Sequence, residues 1–510
     1  MSLIIAERCQ SVLKLHGIDE QNGFLHKKGC LDASFSLKLA LQTRKEFGLD
    51  SWVVFVDLVK AFDTVNRDML LTILARFGLP ESLIKVIRCL YKPVHMTFKS
   101  GKTKYQFINL VGVKQGDNLA PVLFLFVMQA AMETLDNVWR DHNIITPSFS
   151  WQPEAEDEPN VGTLVRQNPK SSGSLFDFWR SLYADDGAFV YTSREDMIRG
   201  TSLLHAHFKR FGMLMHTGTH ATATQSGSKS KTEAMFFPSD STIKEHAQLE
   251  DNDPRSLEEY TKDKWADFDL LGVDGEYISF TNKFCYLGTI ISSDLSDDAD
   301  ISRRIQQASK AFGSLSAGVF CNRKHLSPQI RRRLFMAIVI NLLLWGCETW
   351  ALTKQQHQRL QSCFNKWIRA MTGTRWREIR EKRISNKSLR EKLDNIDSFD
   401  EIYATRCFNW LEKLADMPAT TSDSRLPRML LGAWCFGGKR VRGRPRHNTR
   451  RAYLNLVDKL KFDELDCSLG DNKKGELRCI FDLIRHDPVE FQLRMDHGTC
   501  EFVKAWLNSE

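Results

Sequence analysis

Residues 181–190, SLYADDGAFV, place two adjacent carboxylates, Asp185 and Asp186, between two short apolar runs. Apolar runs on either side of a tight turn predict a β-hairpin with both aspartates at its tip. An ordinary solvated turn would account for them equally well, because Asp is a favoured turn residue. The segment alone therefore leaves a functional site and a simple turn both open.

A third aspartate, Asp57, changes this balance because it also ends an apolar run, Trp52–Val56 (WVVFV), which has the composition of a buried strand. If the two strands lie side by side, Asp57 and Asp185 meet at one edge of a sheet. Clustered carboxylates repel one another unless a positive charge lies between them. Oxygen ligands select Mg²⁺ or Mn²⁺, and two such ions ~3.5–4 Å apart serve in-line phosphoryl transfer. The pattern indicates a two-ion site.

The totals describe a globular protein of two to four domains, with 510 residues of which 42% are hydrophobic. The net charge of +8 is unevenly spread, because residues 301–390 contain 19 Lys and Arg against 3 Asp and Glu. This segregation predicts either a polyanion-binding surface or a solvated helical face. Twelve cysteines show no zinc-ligand spacing, so we expect reduced thiols, no zinc and an intracellular protein. The longest apolar runs fall short of the ~18 residues of a membrane span, so no membrane partner is expected.

Several further elements can be assigned from the pattern. A hairpin is predicted around Ser100-Gly101, a strand at Glu233–Phe237 (EAMFF), and a second hairpin within residues 277–292. Residues 144–174 are rich in Pro, Ser and Gly and are interpreted as an exposed insertion loop. After about residue 300 the pattern is almost wholly helical.

Five segments resemble motifs A to E of reverse transcriptases, in the order of that family. They are FVDLVKAFDTV (55–65), VGVKQGDNLAPVLF (111–124), LYADDGAFV (182–190), SKTEAMFF (230–237) and FCYLGTIIS (284–292). Two later segments, LLLWGCETWALT (342–353) and GKRVRGRPRHNTRRAYL (438–454), are similar to the region that follows the polymerase in non-LTR (LINE-like) retrotransposon proteins. The similarity covers residues ~20 to ~455.

The resemblance implies an α+β fold of the right-hand polymerase type. Fingers and palm, with an antiparallel sheet, would occupy residues 1–295, with the insertion at 144–174 and a shortened N-terminal fingers segment. A helical thumb would occupy residues 296–395. A basic helical region would follow over residues 396–510.

The resemblance also implies roles for individual residues. Asp57 and Asp185 would be the main ligands of two Mg²⁺ or Mn²⁺ ions, with Asp186 as support. Phe62 occupies the position of a steric gate that favours deoxynucleotides, although a core aromatic would show the same pattern. Gln115 and Gly116 match the turn beside the incoming nucleotide and template, where glycine would let the backbone approach closely.

The resemblance also assigns basic residues and one tyrosine to contacts with the substrate or the nucleic acid. Lys28, with Lys27 as an alternative, would contact the triphosphate, and Tyr183 flanks the aspartate turn and is assigned to the substrate site. Lys231 would donate a proton to pyrophosphate, although a solvated lysine fits equally well. The arginines assigned to nucleic-acid binding are Arg331, Arg332, Arg440, Arg442, Arg444 and Arg446.

The resemblance implies an RNA-directed DNA polymerase that uses dNTPs, an RNA template and a DNA primer or target, and that acts in the nucleus or the cytoplasm, with nuclear action expected. Endonuclease activity would come from a missing domain or another protein. Two alternatives remain open. One is a truncated, inactive nucleic-acid-binding remnant. The other is an RNA-dependent RNA polymerase, which Phe62 and the C-terminal resemblance disfavour.

Overall fold

The computed structural model describes residues 1–151, 153, 173–220, 227–249, 270–436, 438 and 448–457, with single positions 489, 491 and 495. In the first half the helices are α1 Ser2–His16, α2 Cys30–Glu46, α3 Ala61–Thr64, α4 Arg67–Arg76, α5 Glu81–Leu90, α6 Leu119–Asp141, α7 Arg194–Arg210 and α8 Asp240–Leu249. The strands are β1 Ser51–Val56, β2 Val94–Ser100, β3 Thr103–Asn109, β4 Ser148–Trp151, β5 Ser174–Asp177, β6 Arg180–Tyr183, β7 Asp186–Tyr191, β8 Glu233–Phe237, β9 Leu270–Val273, β10 Glu276–Phe280, β11 Lys283–Tyr286 and β12 Thr289–Ser292.

The described part of the C-terminal half is mainly helical. Its helices are α9 Asp298–Leu315, α10 Pro328–Leu334, α11 Asn341–Leu343, α12 Lys354–Thr372, α13 Trp376–Lys382, α14 Asn386–Glu391, α15 Phe399–Ala415, α16 Leu426–Gly432 and α17 Thr449–Val457. One short strand, β13 Trp434–Cys435, lies between the last two helices. Wider π-type turns, Ser316–Phe320 and Phe335–Ile340, continue α9 and α10.

A six-stranded sheet in the order β6-β7-β1-β8-β10-β9 carries the candidate site. β1 is central and antiparallel to both β7 and β8, with Val53 opposite Val190 on one side and Met235 on the other. All six residues of β1 are buried. A strand covered on both faces needs apolar residues at every position, which is why WVVFV reads as a continuous run.

The two faces of β1 pack into different cores. Trp52 and Val54 join a core built largely from α6 and α7, with aromatic stacking of Trp52 on Phe236 at 4.2 Å. Val53 and Phe55 join the second core, which extends into the C-terminal helices. Because side chains alternate along a strand, one short segment connects both layers of the molecule.

Helix α6 forms the centre of the first core. Its 23 residues are long and apolar enough to cross a membrane by length and composition, but 72% of the most apolar window is buried. This single helix exceeds the length expected from the apolar runs, because polar residues near its C-terminal end extend it.

The C-terminal helices pack onto α2 rather than forming a separate body. Buried Asp32 in α2 forms ion pairs with Lys413 (2.8 Å) and Arg425 (2.5 Å). Asp300 accepts a hydrogen bond from the indole Nε1 of Trp350 at 2.9 Å, which joins α9 to the following segment. Charged side chains buried in this way must be paired, so the ion pairs of Asp32 fix the C-terminal helices to the first half.

The ends of the proposed insertion also contact the C-terminal region. β4 pairs with β5 across the 144–174 segment, and β13 adds to β4 as a third strand. The interpretation of residues 144–174 as an exposed loop is wrong at Ser148–Trp151, because these residues form a largely buried strand of a three-stranded sheet. Residues 152 and 154–172 lie outside the described part of the chain, so the loop between the two strands remains a prediction.

The predicted α+β fold, with an antiparallel sheet followed by helices, is confirmed. The hairpins expected near Gly101 and within residues 277–292 are present as β2–β3 and β11–β12, and β8 matches the predicted strand Glu233–Phe237. The domain boundaries at 295 and 395 stay predictions.

Candidate active site

The three predicted aspartates lie at one end of the central strands. Val56, the last residue of β1, is opposite Gly187 of β7, so the same register places Asp57 opposite Asp186. Neighbouring antiparallel residues have Cα atoms ~4.5–5.5 Å apart. Asp185 lies in the turn between β6 and β7, where Tyr183 pairs with Asp186. The structure therefore brings the three positions together, as the sequence predicted.

The carboxylates influence one another electrostatically. Desolvation, followed by the charges of Asp185 and Asp57, raises the pKa of Asp186 to about 6. Burial, together with the charge of Asp57, also raises the pKa of Asp185. In the part of the chain that the structure describes, neither carboxylate has a lysine or arginine among the groups that shift its pKa. The cluster is a concentration of negative charge without an internal counterion.

This arrangement fits a divalent cation. Carboxylate oxygens are the ligands that Mg²⁺ and Mn²⁺ prefer, and a bound cation would relieve the repulsion that raises these pKa values. Among the described residues, no three His, Cys, Asp or Glu side chains are gathered closely enough to form a ready-made metal site.

A short segment before α2 holds the aspartate turn in place, which the sequence did not indicate. The buried side chain of Gln21 accepts hydrogen bonds at Oε1 from the backbone N–H groups of Ala184 and Gly23, both at 2.8 Å. Asn22 N–H donates to Leu182 O at 2.8 Å, so the segment runs beside β6. Ala184 has a φ of +55°, a conformation that costs energy for a residue with a Cβ and needs such support.

The close contact with Ala184 explains why the third residue of the QNG sequence, Gly23, is a glycine. A Cβ atom at this position would lie 2.4 Å from the backbone nitrogen of Ala184, so only glycine lets the two chains approach this closely. The only sequence signal that could have found the contact was the glycine after two amides, which also fits an ordinary turn.

A second missed residue, Thr232, fixes the backbone of Asp57. Its Oγ1 accepts from Asp57 N–H at 3.2 Å and lies 3.4 Å from Asp57 O. His216 N–H also donates to Asp57 O, at 2.7 Å. Lys231, next to Thr232, is exposed and lies beside this contact, so the position agrees with its predicted role, which stays a prediction.

Aromatic rings form one side of the site. Phe62 in α3 is half-buried, stacks on Phe124 at 4.6 Å and meets Phe24 edge-on at 6.4 Å. Phe24 is also 6.2 Å from the ring of Tyr183. Phe62 therefore packs against core rings and still reaches solvent, and its role as a steric gate stays a prediction.

The turn containing Gln115 and Gly116 is attached to α3. Gln115 Nε2 donates to Asp63 Oδ1 at 3.1 Å. Gly116 has a φ of +87°, and a Cβ added to it would meet no atom within 4 Å. The turn is thus open to solvent beside the residues that follow Asp57. Asp63 acts here as a hydrogen-bond acceptor for the turn.

Lys28 does not fit its predicted triphosphate contact. Its ammonium group donates to Asp19 O at 2.9 Å and lies 3.9 Å from the Asp19 carboxylate, with 13% of the side chain exposed. Burial lowers the pKa of this lysine, and the charge of Asp19 opposes that effect. Lys27, the alternative, is exposed. The prediction for Lys28 is corrected because its ammonium group is bound by Asp19 inside the protein.

Arg331 also departs from its predicted role. It is 5% exposed, and its Nη1 donates to the carbonyls of Met371 (2.8 Å) and Phe320 (3.3 Å), so it joins helix ends inside the protein. Arg332 is half-buried and pairs with Asp394 at 3.1 Å. Arg440, Arg442, Arg444 and Arg446 lie outside the described residues.

Comparison with known proteins supports the family suggested by the motifs. The family model described as "Reverse transcriptase (RNA-dependent DNA polymerase)" matches residues 2–218. This chain is 28% identical over 136 residues to the Pol polyprotein of the type-2 retrotransposable element R2DM of Drosophila melanogaster, covering 26% of this chain and 13% of that protein.

Two further relatives come from R2 elements described as type-1. The Pol polyprotein from Popillia japonica is 31% identical over 137 residues, covering 26% of this chain and 19% of that protein. The one from Nasonia vitripennis is 26% identical over 220 residues, covering 42% and 18%. A solved telomerase structure from Candida albicans, in complex with a fragment of telomeric RNA, covers 80% of this chain and 56% of its own at a TM-score of 0.34 and 8% identity, which supports no conclusion here.

The chain is similar to the reverse transcriptase family over residues 2–218. More particularly, it is similar to the Pol polyproteins of R2 elements, and the resemblance to reverse transcriptases of non-LTR retrotransposons is confirmed. The chain matches less than a fifth of the length of each of these three relatives.

Proposed function

We propose that this chain is an RNA-directed DNA polymerase of a non-LTR retroelement, which adds dNTPs to a primer 3′-OH on an RNA template. The observation that carries the proposal is the meeting of Asp57, Asp185 and Asp186 at the end of β1 and the β6–β7 turn, without an internal cation among the described residues. A negative cluster of this kind suits a reaction in which phosphates and divalent ions must be held together.

Asp57 and Asp185 are the residues that would hold two Mg²⁺ or Mn²⁺ ions, with Asp186 adding negative charge beside them. Such ions, when bound, lower the pKa of the primer hydroxyl and stabilise the leaving pyrophosphate. The task of the protein is to keep the carboxylates at fixed positions, which Gln21 and Thr232 do through backbone hydrogen bonds.

Side chains around the aspartates would select and orient the substrate. The ring of Phe62 would press against a 2′-hydroxyl and exclude ribonucleotides. The open turn at Gln115 and Gly116 would lie beside the nucleotide, and Lys231 would protonate pyrophosphate. We expect the primer to be a nicked chromosomal end made by an endonuclease outside this segment, so that the reaction takes place in the nucleus.

The central test is dTTP incorporation on poly(rA)/oligo(dT) by the purified chain, with Asp185→Asn as the inactive variant. Asp141→Asn, which removes an exposed carboxylate at the end of α6, is the matched control. We expect Mg²⁺-dependent synthesis by the parent chain and by Asp141→Asn. Absence of synthesis above the Asp185→Asn level would support the inactive remnant and overturn the proposal.

Nucleotide choice separates DNA synthesis from RNA synthesis. Phe62→Val should admit ribonucleotides while keeping dNTP incorporation, because it opens space at the 2′-position. Its thermal unfolding should be measured in parallel, since the stacking on Phe124 is also lost. If the parent chain already prefers rNTPs, the chain is an RNA polymerase instead.

A further inference from the structure

The hairpin β2–β3 is a surface feature that none of the assigned roles explains. From Tyr91 to Gly116 the chain contains five lysines and no Asp or Glu. β2 and β3 pair with each other and with no other described strand. Large hydrophobic side chains on β3 are nevertheless exposed, with 59% exposure for Tyr105 and 51% for both Phe107 and Ile108.

The register divides the hairpin into two chemically different faces. Phe98 lies opposite Tyr105, and Phe107 is two residues further along the same face. Lys99 lies opposite Lys104 on the other face. One face therefore presents aromatic rings to solvent and the other presents paired ammonium groups.

Both faces are unfavourable for the free protein. Two like charges directly opposite on adjacent strands destabilise the pairing. Rings exposed to this extent forgo much of the burial that usually stabilises a two-stranded hairpin. A polyanion beside Lys99 and Lys104 would remove the first cost, and flat bases stacked on Phe98 and Tyr105 would remove the second.

The root of the hairpin is fixed to the candidate active site. Gly112 N–H donates to Val65 O and Val113 N–H donates to Phe62 O, both at 2.8 Å. The Arg67 guanidinium donates to the carbonyls of Asn109 and Gly112 at 3.0 and 2.9 Å. The hairpin thus projects from the segment after Asp57 and leads directly into the turn at Gln115 and Gly116.

We propose that the β2–β3 hairpin binds the single-stranded part of the RNA template, with bases on the Phe98–Tyr105–Phe107 face and phosphates on the Lys99–Lys104 side. This proposal rests on the proposed function, because it takes the template to be the polyanion that passes the site. The absence of acidic residues argues for nucleic acid over a protein partner, whose surface would normally present both signs of charge.

The test is binding of the full chain to fluorescent RNA–DNA primer–templates with and without a single-stranded 5′ template extension. The aromatic variant carries Phe98→Thr, Tyr105→Thr and Phe107→Thr, because threonine keeps the strand propensity. We expect its affinity for the extended duplex to fall at least about tenfold, because each lost stacking contact weakens binding. Affinity for the blunt duplex should stay within about twofold of the parent value, a margin well below the effect of one stacked base.

A charge variant, Lys99→Gln with Lys104→Gln, gives an independent measurement. The slope of log affinity against log salt should decrease by about 1.4, the value for two phosphate contacts to a single strand. Arg8→Gln with Lys14→Gln, two exposed positions on α1, removes the same charge elsewhere and should leave the slope for the extension unchanged. Thermal unfolding of each variant establishes that it is folded.

Three results would overturn the proposal. The first is an extended duplex bound equally by the parent and both variants. The second is an equal loss on blunt and extended duplexes. The third is a parent dimer that the aromatic variant abolishes without a change in RNA binding, since a second copy would then cover this face. Asp185→Asn should bind the extension like the parent, so inactive polymerase chemistry and a failed hairpin are distinguishable.

Discussion

Two charged regions of this molecule differ in whether the protein itself neutralises their charges. The aspartates at the end of β1 and β7 lie together with raised pKa values for Asp185 and Asp186 and no described cation among their causes. Two arginines from the basic segment 301–390 are buried instead, with Arg331 bonded to two carbonyls and Arg304 paired with Asp300 at 3.6 Å. Both regions stood out in the sequence as concentrations of one sign of charge.

The difference lies in whether the fold supplies partners. A charge whose hydrogen bonds are satisfied by backbone carbonyls or a buried carboxylate stabilises the structure and leaves little for a ligand. Where the described fold leaves a charge beside like charges, a bound ion of opposite sign would relieve their repulsion. Charge density along a sequence therefore indicates a ligand site only where the interior does not neutralise it.

The largest change in activity that would test this difference is expected for a substitution of Asp57. Asp57→Asn should lower dTTP incorporation by about 10³-fold or more, because metal stabilisation of developing charge contributes several kcal/mol. The thermal unfolding midpoint should stay equal or rise, since repulsion is removed. A parallel loss of stability and activity would show that Asp57 serves the fold, as Arg331 does.

Arg331 should give the reverse pattern. Arg331→Ala is expected to lower the free energy of unfolding by about 2–4 kcal/mol, because two carbonyls lose charged donors. RNA affinity per folded molecule should not change. Arg332→Ala is the matched control and should cost about 0–1 kcal/mol, because its pair with Asp394 is partly exposed. Weaker RNA binding by folded Arg331→Ala would restore the original prediction.

Gln21 tests how firmly the aspartate turn must be held. Gln21→Ala removes the acceptor for Ala184 N–H and should lower the turnover rate by roughly tenfold, since a lost buried hydrogen bond costs about 1–2 kcal/mol. Primer–template affinity should remain, because Gln21 is buried and its Oε1 accepts from the backbone N–H groups of Gly23 and Ala184 inside the protein. Asn22→Ala, whose amide donates to Glu20 O, is the control. Equal rates for both variants would mean that the turn holds its shape without Gln21.

The smallest effect is a pH dependence of stability in EDTA. The pKa of Asp186 is raised from 3.8 to about 6, so the folded state binds more protons than the unfolded state in that interval. This contribution to stability is present at low pH and is lost as pH rises through about 6. The thermal unfolding midpoint of Asp186→Asn should therefore rise relative to that of the parent chain as the pH increases from 4 to 7. The gain should be small because Asp186 is exposed to screening solvent, and a constant difference would contradict the electrostatic account.

Much of the secondary structure followed from local pattern. The run WVVFV, the aspartate hairpin and the strand EAMFF were predicted because each carries a strong period or turn signal close to its ends. The motif order then placed Asp57, Asp185 and Asp186 at one edge, and the register of β1 and β7 agrees.

Errors arose where a charged side chain had an interior alternative. Lys28 was assigned to a triphosphate. Its ammonium group instead pairs with Asp19, which the chain brings close by folding back over nine residues. Arg331 and Arg332 adjoin in sequence, but one side chain enters the protein and the other lies near its surface. No local pattern separates Arg331 from Arg332, because their partners Met371 and Asp394 are 40 and 62 residues away in the sequence.

From the sequence alone, apolar periodicity and turn chemistry within short windows determined the strands WVVFV and EAMFF and the aspartate hairpin. The resemblance of five motifs to those of reverse transcriptases supplied the fold class and the roles of the three carboxylates. Only the tertiary structure decided that Gln21 and Thr232 hold the aspartates, that Arg304 and Arg331 are buried while other arginines of the same segment stay exposed, and that the β2–β3 hairpin exposes rings and lysines on opposite faces. Those outcomes depend on long-range packing and strand register, which bring together residues that no short window contains.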